Sequence, residues 1–278
     1  MTRETRLSIL REIGLEEKKD LTKQFYDAHI HFYFQFPAEE LKQVFGRLTK
    51  GGLKGFSALV FTEYPNDIKT VLKMVPGAYH AHISLAALER QLSPFPYFEW
   101  ARPLTIIPFA DARFIDQGIE EKMARFSERG FRGLKLLYVP EEDKNIRVQG
   151  MEQAFGRPVK KSEEITARLI DSAASQGMCV LFHVDLRRYG NFTEEMLRSH
   201  RETKFNIPHF GSSRKALVNL LENYPNCYTD TYVHERRTGV LQKLYPPIPG
   251  PDSLWQRCLN RRSGTDGRVP EFFRGVSR

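Results

Sequence analysis

Two histidines near the start of the chain have the residue type and spacing of paired metal ligands. The segment YDAHIHF, residues 26–32, places His29 and His31 two positions apart. Side chains at i and i+2 of a β-strand point to the same face, so both imidazoles can face one point. Imidazole nitrogens are common ligands of Zn²⁺ and similar ions. The spacing alone is a weak motif, because a second pair, His80 and His82, lies in a segment without strand character.

Short apolar runs alternate with amphipathic stretches from residue 24 onward. The runs are apolar on both faces, as expected for strands of a parallel sheet that helices cover. Seven strand-then-helix units predict the α/β class and a TIM-like (β/α)8 barrel, with an open parallel sheet as the alternative. The predicted strands are residues 24–32, 55–63, 105–114, 131–139, 179–186, 203–211 and 226–233.

The chain is predicted to form one domain, because no linker divides the repeating units. We expect residues 1–23 to form an N-terminal leader or helix and residues 24–278 to form a single barrel domain. Two longer inserts, residues 76–103 and 139–161, interrupt the alternation. Each insert is long enough to fold over the mouth of a barrel as a lid.

Polar residues fall at the carboxyl ends of the predicted strands, where barrels of this kind carry their chemistry. His183 ends the fifth run and offers a third imidazole beside His29 and His31. A divalent ion takes three or four nitrogen or oxygen ligands held on rigid elements, with one position open to water. A carboxylate at the end of an eighth strand would complete the set. The other strand-end candidates are Asp27, Glu63, Asp111, Arg113, Lys135, Asp185, His209 and Asp230.

Five segments in order resemble the amidohydrolase superfamily, in particular its amidohydrolase-related (amidohydrolase 2) branch. YDAHIH is similar to the first strand of that branch, FRGLKLLY to its fourth, LFHVD to its fifth, PHFG to its sixth and YTDTY to its seventh. The resemblance covers roughly residues 24–233 and implies a metal-dependent (β/α)8 barrel. It implies that His29, His31 and His183 bind the metal ion. It also implies that His209 binds a second ion or orients water and substrate.

The end of the chain departs from the family pattern. The family's eighth strand is an apolar run that closes in Gly-Ser/Thr-Asp, and the matching residues are Gly264, Thr265 and Asp266. The match implies that Asp266 is both a metal ligand and the general base. The residues before Gly264 are polar and make a poor buried strand, and twelve residues follow Asp266. An altered or incomplete eighth strand and C-terminus is therefore the alternative to an intact barrel.

The resemblance implies a hydrolase that acts on an amide, ester or lactone of a small molecule through metal-activated water, or a related nonoxidative decarboxylase. The divalent metal expected is zinc first, although histidine and carboxylate ligands also accept manganese or iron. Asp266 and His209 are the expected catalytic residues. Lys135 is either carboxylated, as in some relatives, or a buried lysine paired with a carboxylate. Two alternatives stay open: a metal-dependent phosphodiesterase or nuclease, and a non-catalytic barrel protein with a degraded site.

Composition and charge limit the partners. The formal net charge is +8, but the last 29 residues contribute six arginines against three acids, which favours a basic tail over a nucleic-acid groove. No segment approaches the roughly 20 uninterrupted apolar residues of a membrane span. The three cysteines are far apart in sequence and suit a reducing cytoplasm better than a disulfide framework. We expect a cytoplasmic protein with a small-molecule substrate and no membrane partner. The resemblance adds a homodimer as the candidate assembly.

Overall fold

Seven parallel strands form one sheet, and their spatial order, first to seventh, follows the chain. The structure, a computed structural model, describes residues 25–31, 38–50, 53–144, 147–208 and 213–230. Parallel neighbours joined by helical crossovers are typical of the (β/α) barrel, so the predicted α/β class and TIM-like strand order are confirmed. The strands are β1 (Phe25–His31), β2 (Leu53–Phe61), β3 (Thr105–Asp111), β4 (Gly133–Tyr138), β5 (Cys179–Val184), β6 (Phe205–Asn206) and β7 (Cys227–Tyr228).

Amphipathic helices connect the strands and cover the sheet. They are α1 (Ala38–Lys50), α2 (Ile68–Lys73), α3 (Leu85–Leu92), α4 (Phe95–Glu99), α5 (Ile119–Glu128), α6 (Met151–Phe155), α7 (Val159–Ser175), α8 (Leu186–Ser199) and α9 (Arg214–Asn223), with a 3-10 helix at Gly77–His82. In α7, Ile165, Leu169 and Ala173 recur every fourth residue and are buried. This spacing places them on one face of the helix, which packs on the strands.

The central strands are buried on both faces, as their apolar sequences predict. Every residue of β4 is buried, and so is every residue of β2 except Lys54, which is half-buried. A strand with two buried faces needs packing partners on each side of the sheet. The helices provide one partner layer, and the side chains of neighbouring strands provide the other.

One face of the strands carries a small apolar cluster separate from the core under the helices. The cluster consists of Leu59, Ile107, Phe109, Cys179 and Leu181. Its members alternate along β2, β3 and β5 with residues of the larger core, so they point to the opposite face. This face is the interior of the barrel.

The interior changes from apolar to polar along the strands. The register pairs Asp111 with Lys135, Lys135 with Leu181, and Leu181 with Asn206, so these residues lie side by side on four neighbouring strands. Lys135 and Asn206 are both buried. The strands therefore bring a group of charged and amide side chains together inside the barrel, next to the apolar cluster.

β1 is irregular next to its paired histidines. Asp27 pairs with Phe56 and Ile30 pairs with Ala58, so β1 advances by three residues where β2 advances by two. The extra residue is a β-bulge, which bends a strand and re-aims its side chains. The bulge thus sets the direction of His29, which lies within it.

The second insert is tied to two neighbouring helices. The backbone N–H of Gln149 donates to the carbonyl of Lys73 at the end of α2, at 2.9 Å. The Glu141 carboxylate accepts a hydrogen bond of 2.9 Å from the Tyr189 hydroxyl on α8 and also pairs with Arg188. These contacts fix both arms of the insert against the body of the fold.

Some local expectations differ from the structure. Ser162 is of a residue type that often caps helices, but it lies inside α7, which begins at Val159 with Pro158 as its N-cap residue. β6 and β7 are two residues long, shorter than the apolar runs that predicted them. Cys227 carries a free, buried thiol.

Several predicted features lie outside the described residues. They are the N-terminal segment 1–23, His209 in the predicted sixth run, and the predicted eighth strand with Asp266. The division into residues 1–23 and 24–278 stays a prediction. Within the described ranges, no helix has the length and apolar character needed to cross a membrane.

Candidate functional site

The two histidines of β1 meet through the nitrogens that metal ligands commonly use. His29 Nε2 and His31 Nε2 are 3.3 Å apart, and the ring centroids are 5.1 Å apart at an interplanar angle of 54°. The expectation from their i, i+2 spacing, that both rings face one point, is confirmed. Each ring can offer a lone pair toward that point, or one ring can donate its N–H to the other.

Two carboxylates hold His29 in place. Its backbone N–H donates to Asp27 Oδ1 at 2.9 Å, and its Nδ1 lies 2.9 Å from Asp230 Oδ2. The side chains of His29 and Asp230 are 8% and 9% exposed. An ionised carboxylate only accepts hydrogen bonds, so the proton of this contact is on Nδ1. In this tautomer the lone pair is on His29 Nε2, which faces His31 Nε2.

Asn206 supports this carboxylate from a neighbouring strand. Asn206 Nδ2 donates to Asp230 Oδ2 at 3.3 Å, so one carboxylate oxygen receives both the amide and the His29 ring. Asn206 is 3% exposed. The hydrogen-bond chain therefore runs from Asn206 through Asp230 and His29 to His31.

His31 is held in its neutral form. Burial lowers its pKa well below the ordinary value of 6.5, and the nearby His29, Lys135, Arg113 and His183 lower it further. Burial disfavours the charged imidazolium, and neighbouring cations act in the same direction. A neutral imidazole is the form that binds a metal ion.

Burial opposes the ordinary charged states of Lys135 and Asp27. Burial lowers the pKa of Lys135 to about 7, although the Asp111 carboxylate acts against this shift. Lys135 Nζ donates to the Leu136 carbonyl at 3.1 Å. Burial raises the pKa of Asp27, and the backbone N–H of His29 opposes that rise. The structure thus shows Lys135 as a buried lysine with carboxylates nearby, and its carboxylation stays a prediction.

Other strand-end polar residues are engaged in ion pairs or helix caps. Arg113 donates to both oxygens of Asp111, and its Nη1 donates to the Met74 carbonyl at 2.7 Å. Arg187 forms a comparable pair with Asp185, whose carboxylate also accepts the backbone N–H of Arg187 at the start of α8. Because their guanidinium groups are already paired, Arg113 and Arg187 are poor candidates for binding an acidic substrate group.

Glu63, at the end of β2, also has a partner outside the histidine pair. Its carboxylate forms an ion pair of 2.5 Å with Lys122 on α5. The contact joins the end of β2 to the helix that follows the next strand, β3. Glu63 therefore has a structural role that accounts for its position.

The remaining predicted ligands are not assembled around the pair in the described part of the chain. His183 ends β5 half-buried and lies close enough to His31 to lower its pKa. Among the described residues, no group of three or more His, Cys, Asp or Glu side chains is arranged to hold a metal ion. Asp266 and His209 lie outside those residues. The full ligand set of His29, His31, His183 and Asp266 therefore stays a prediction.

Sequence reasoning assigned no role to Asp230 and did not single out Asn206. Asp230 was visible as a strand-end carboxylate in the YTDTY segment, but its partner could not be known without the contact between β1 and the end of β7. Asn206 lies in a short apolar run as its one amide, and that pattern also fits an ordinary buried side chain. Only the fold shows that both belong to the histidine site.

The comparisons with known proteins do not assign the chain to a family. No protein-family model matches it, and no curated protein matches it. Among solved structures, it is similar to a D-hydantoinase, at 10% sequence identity and a TM-score of 0.44, over 78% of this chain and 49% of that chain. The chain thus spans about half the length of that D-hydantoinase.

Two further solved structures are similar at lower TM-scores. One is the tryptophan synthase alpha chain from Legionella pneumophila subsp. pneumophila, at 12% identity and a TM-score of 0.30, over 81% of this chain and 83% of that chain. The other is an enolase protein from environmental sequencing of the Sargasso Sea, at 12% identity and a TM-score of 0.33, over 80% of this chain and 59% of that chain. These likenesses concern the fold alone.

Proposed function

We propose that the protein is a metal-dependent hydrolase that acts on an amide, ester or lactone of a small molecule, or a related nonoxidative decarboxylase. The proposal rests on one observation, the meeting of His29 and His31 through their Nε2 atoms at 3.3 Å. The resemblance of five segments to the amidohydrolase-related branch supports the same reaction class. Membership of that branch, the cytoplasmic location and the homodimer stay predictions.

The distance between the two nitrogens fits a shared metal ion. Nitrogens bound to Zn²⁺ at about 2.0–2.1 Å with a tetrahedral angle between them lie about 3.3 Å apart. The observed separation of His29 Nε2 and His31 Nε2 is 3.3 Å. An N–H···N hydrogen bond between the two rings has a similar length. Measurement of bound metal distinguishes the two arrangements.

The surroundings of the pair also suit metal ligands. The Nδ1–H of His29 donates a hydrogen bond to the Asp230 carboxylate, the arrangement that metal-binding histidines commonly show. The pKa of His31 is well below its ordinary value, so the ring is neutral and its lone pair is available at neutral pH. These two features favour ligation over a pair of core histidines.

Each residue has a part in the proposed chemistry. His29, His31, His183 and Asp266 would hold the ion, which would supply an acidified water and a polarised substrate carbonyl. Zinc is the first candidate, and manganese or iron are the alternatives. Asp266 would take a proton from the attacking water and pass it to the leaving group. His209 would stabilise the developing oxyanion.

Bound metal per chain tests the proposal directly. Elemental analysis of the full chain should find about one ion or more per molecule, and a His29→Ala/His31→Ala variant should lose it. The matched control is His80→Ala/His82→Ala, which removes the other His-x-His pair of the chain. That control should keep the metal content of the parent. Equal metal in the parent and in both variants would place the ion elsewhere and overturn the assignment.

A non-catalytic barrel protein is the second candidate. It is favoured by the observation that no group of three metal-binding side chains is arranged among the described residues. Tight zinc binding without turnover on a panel of esters, lactones, amides and aromatic carboxylates would support it. Loss of zinc and of turnover together in the His29→Ala/His31→Ala variant would support the hydrolase or decarboxylase instead.

A further inference from the structure

Asn206 is a buried amide that the proposed reaction does not use. Its Nδ2 donates to Asp230 Oδ2, but its Oδ1 is buried and has no hydrogen-bond partner among the described residues. A buried carbonyl oxygen without a partner lowers the stability of a fold. An apolar side chain of similar size, such as leucine, would avoid that loss. Within the described part of the chain, the hydrogen bond that this amide makes is the one to Asp230.

The contact restricts how the Asp230 carboxylate can rotate. Oδ2 accepts from Asn206 on one side and from the His29 ring on the other. Two donors on one oxygen of a buried carboxylate set the plane of the group better than one donor does. Without the amide, the carboxylate can turn and weaken its alignment with His29 Nδ1.

We propose that Asn206 and Asp230 form a positioning pair that keeps His29 in its Nδ1–H tautomer, with the Nε2 lone pair directed at His31. The pair acts through the contact of Asp230 with His29, and its role is therefore one of positioning. The tautomer follows from the hydrogen bonds of the described residues. Its consequence for metal binding rests on the proposed function.

The alternative tautomer explains why this matters. If His29 carried its proton on Nε2, the N–H would point at His31 and leave no lone pair for a shared ligand. Because the tautomer of a histidine is set by the partner of its other nitrogen, removing the carboxylate frees the ring to exchange tautomers. Asn206 affects the same equilibrium indirectly, through the orientation of the carboxylate.

Nitrogen NMR of the histidine side chains tests the tautomer on the full chain without added metal. At about pH 8.5, above the ordinary histidine pKa, the ¹⁵N shifts distinguish a protonated ring nitrogen from a free one. The His29 signals are assigned from their loss in His29→Gln. We expect Nδ1–H in the parent, a mixture or Nε2–H in Asp230→Asn and Asp230→Leu, and a smaller change in the same direction in Asn206→Leu.

A stability measurement separates positioning from a structural role. Asn206→Leu should unfold at the same or a higher temperature than the parent, because it removes a buried oxygen that has no partner among the described residues. Its zinc affinity, measured with a competing chelating dye, should nevertheless fall about 10-fold or more. Asn219→Leu, on the exposed side of α9, is the matched control and should leave tautomer and zinc affinity unchanged.

The outcomes distinguish this inference from the proposed function. An Nε2–H tautomer in the parent, or a His29 tautomer that none of the Asp230 and Asn206 variants changes, would overturn the positioning pair. If the parent binds no zinc but shows the expected tautomers, the positioning pair stands and the metal-dependent function fails. If the parent binds zinc but the Asp230 and Asn206 variants leave the His29 tautomer unchanged, the metal-dependent function stands and the positioning pair fails.

Discussion

The His29 ring and the Asp230 carboxylate are 2.9 Å apart, although 201 residues separate them in the chain. His29 lies in β1, which pairs with β2, and Asp230 follows β7, which pairs with β6. The hydrogen bond therefore joins the first unit of the fold to the last strand that the structure describes. The same hydrogen bond orients the His29 imidazole and holds the first strand near the end of the seventh.

A double-mutant cycle should detect this long-range contact as coupling in stability. His29→Ala and Asp230→Ala should each destabilise the protein, and the double variant should be less destabilised than the sum of the two by roughly 1–3 kcal/mol. The reason is that each single change leaves a mostly buried polar group without its main partner. Urea unfolding of the metal-free protein measures the four free energies. Strict additivity would show that the two side chains do not interact in solution.

The neutral state of His31 should make the protein sensitive to acid. Its folded-state pKa is well below 6.5, so the unfolded chain binds a proton that the folded chain excludes once the pH falls below about 6.5. The free energy of unfolding should therefore decrease toward low pH by up to about 1.4 kcal/mol per pH unit from this group. His31→Gln should remove that part of the slope in metal-free protein.

An exposed histidine provides the control for the acid sensitivity. His80 lies in the 3-10 helix, exposed to solvent, and His80→Gln changes the same residue type away from the site. The slope of stability against pH below 6.5 should match the parent in His80→Gln and be shallower in His31→Gln. If His31→Gln keeps the full slope, another group is responsible for the loss of stability in acid.

Lys135 should give a second dependence of stability on pH, at alkaline rather than acidic pH. Burial lowers its pKa to about 7 from 10.5, so between these values the unfolded chain holds a proton that the folded chain has released. Stability should therefore rise with pH across this window, by up to about 1.4 kcal/mol per pH unit, and the contribution should be absent in Lys135→Met. Lys161→Met, on the exposed surface of α7, is the control. Parallel pH profiles for the parent and Lys135→Met would contradict a neutral Lys135.

The fold was largely predictable because its signals are local. The strands β1 to β5 were recognised from runs such as GFSALVFTE and CVLFHVDL, which are apolar on both faces and are followed by amphipathic stretches. The boundaries were less predictable. Ser162 looks like a helix cap, but Pro158 already starts α7 one turn earlier. The β1 bulge has no sequence signal, because it arises from pairing with β2.

The site was predictable only in part, for the same physical reason. The spacing of His29 and His31 is local, and the contact between them followed from it. Arg113 and Asp111 are also near each other in the sequence, but their positions alone could not show that the guanidinium is already occupied by the carboxylate. Asp230 and Asn206 reach His29 through the closure of the sheet, and nothing near them in the chain encodes that meeting.

The buried ion pair of Asp111 and Arg113 should stabilise the fold. Both side chains are 1% exposed, and Arg113 also bonds the Met74 carbonyl. Arg113→Met should destabilise the protein by about 3–5 kcal/mol, because it leaves a buried carboxylate without its counter-ion. The double variant Asp111→Leu/Arg113→Met should lose much less stability, because no unpaired charge stays buried. Thermal or urea unfolding of the three proteins measures this difference.

An acidic-substrate site at Arg113 requires the opposite pattern. In that case Arg113→Met would keep its stability and raise the KM for carboxylated substrates alone, while the double variant would be no more stable than the single one. The two oxygens of Asp111 already occupy the guanidinium edge that a substrate carboxylate would need. Recovery of stability in the double variant would therefore assign Arg113 to holding the end of β3 against α2, and would direct the search for substrate contacts to other residues.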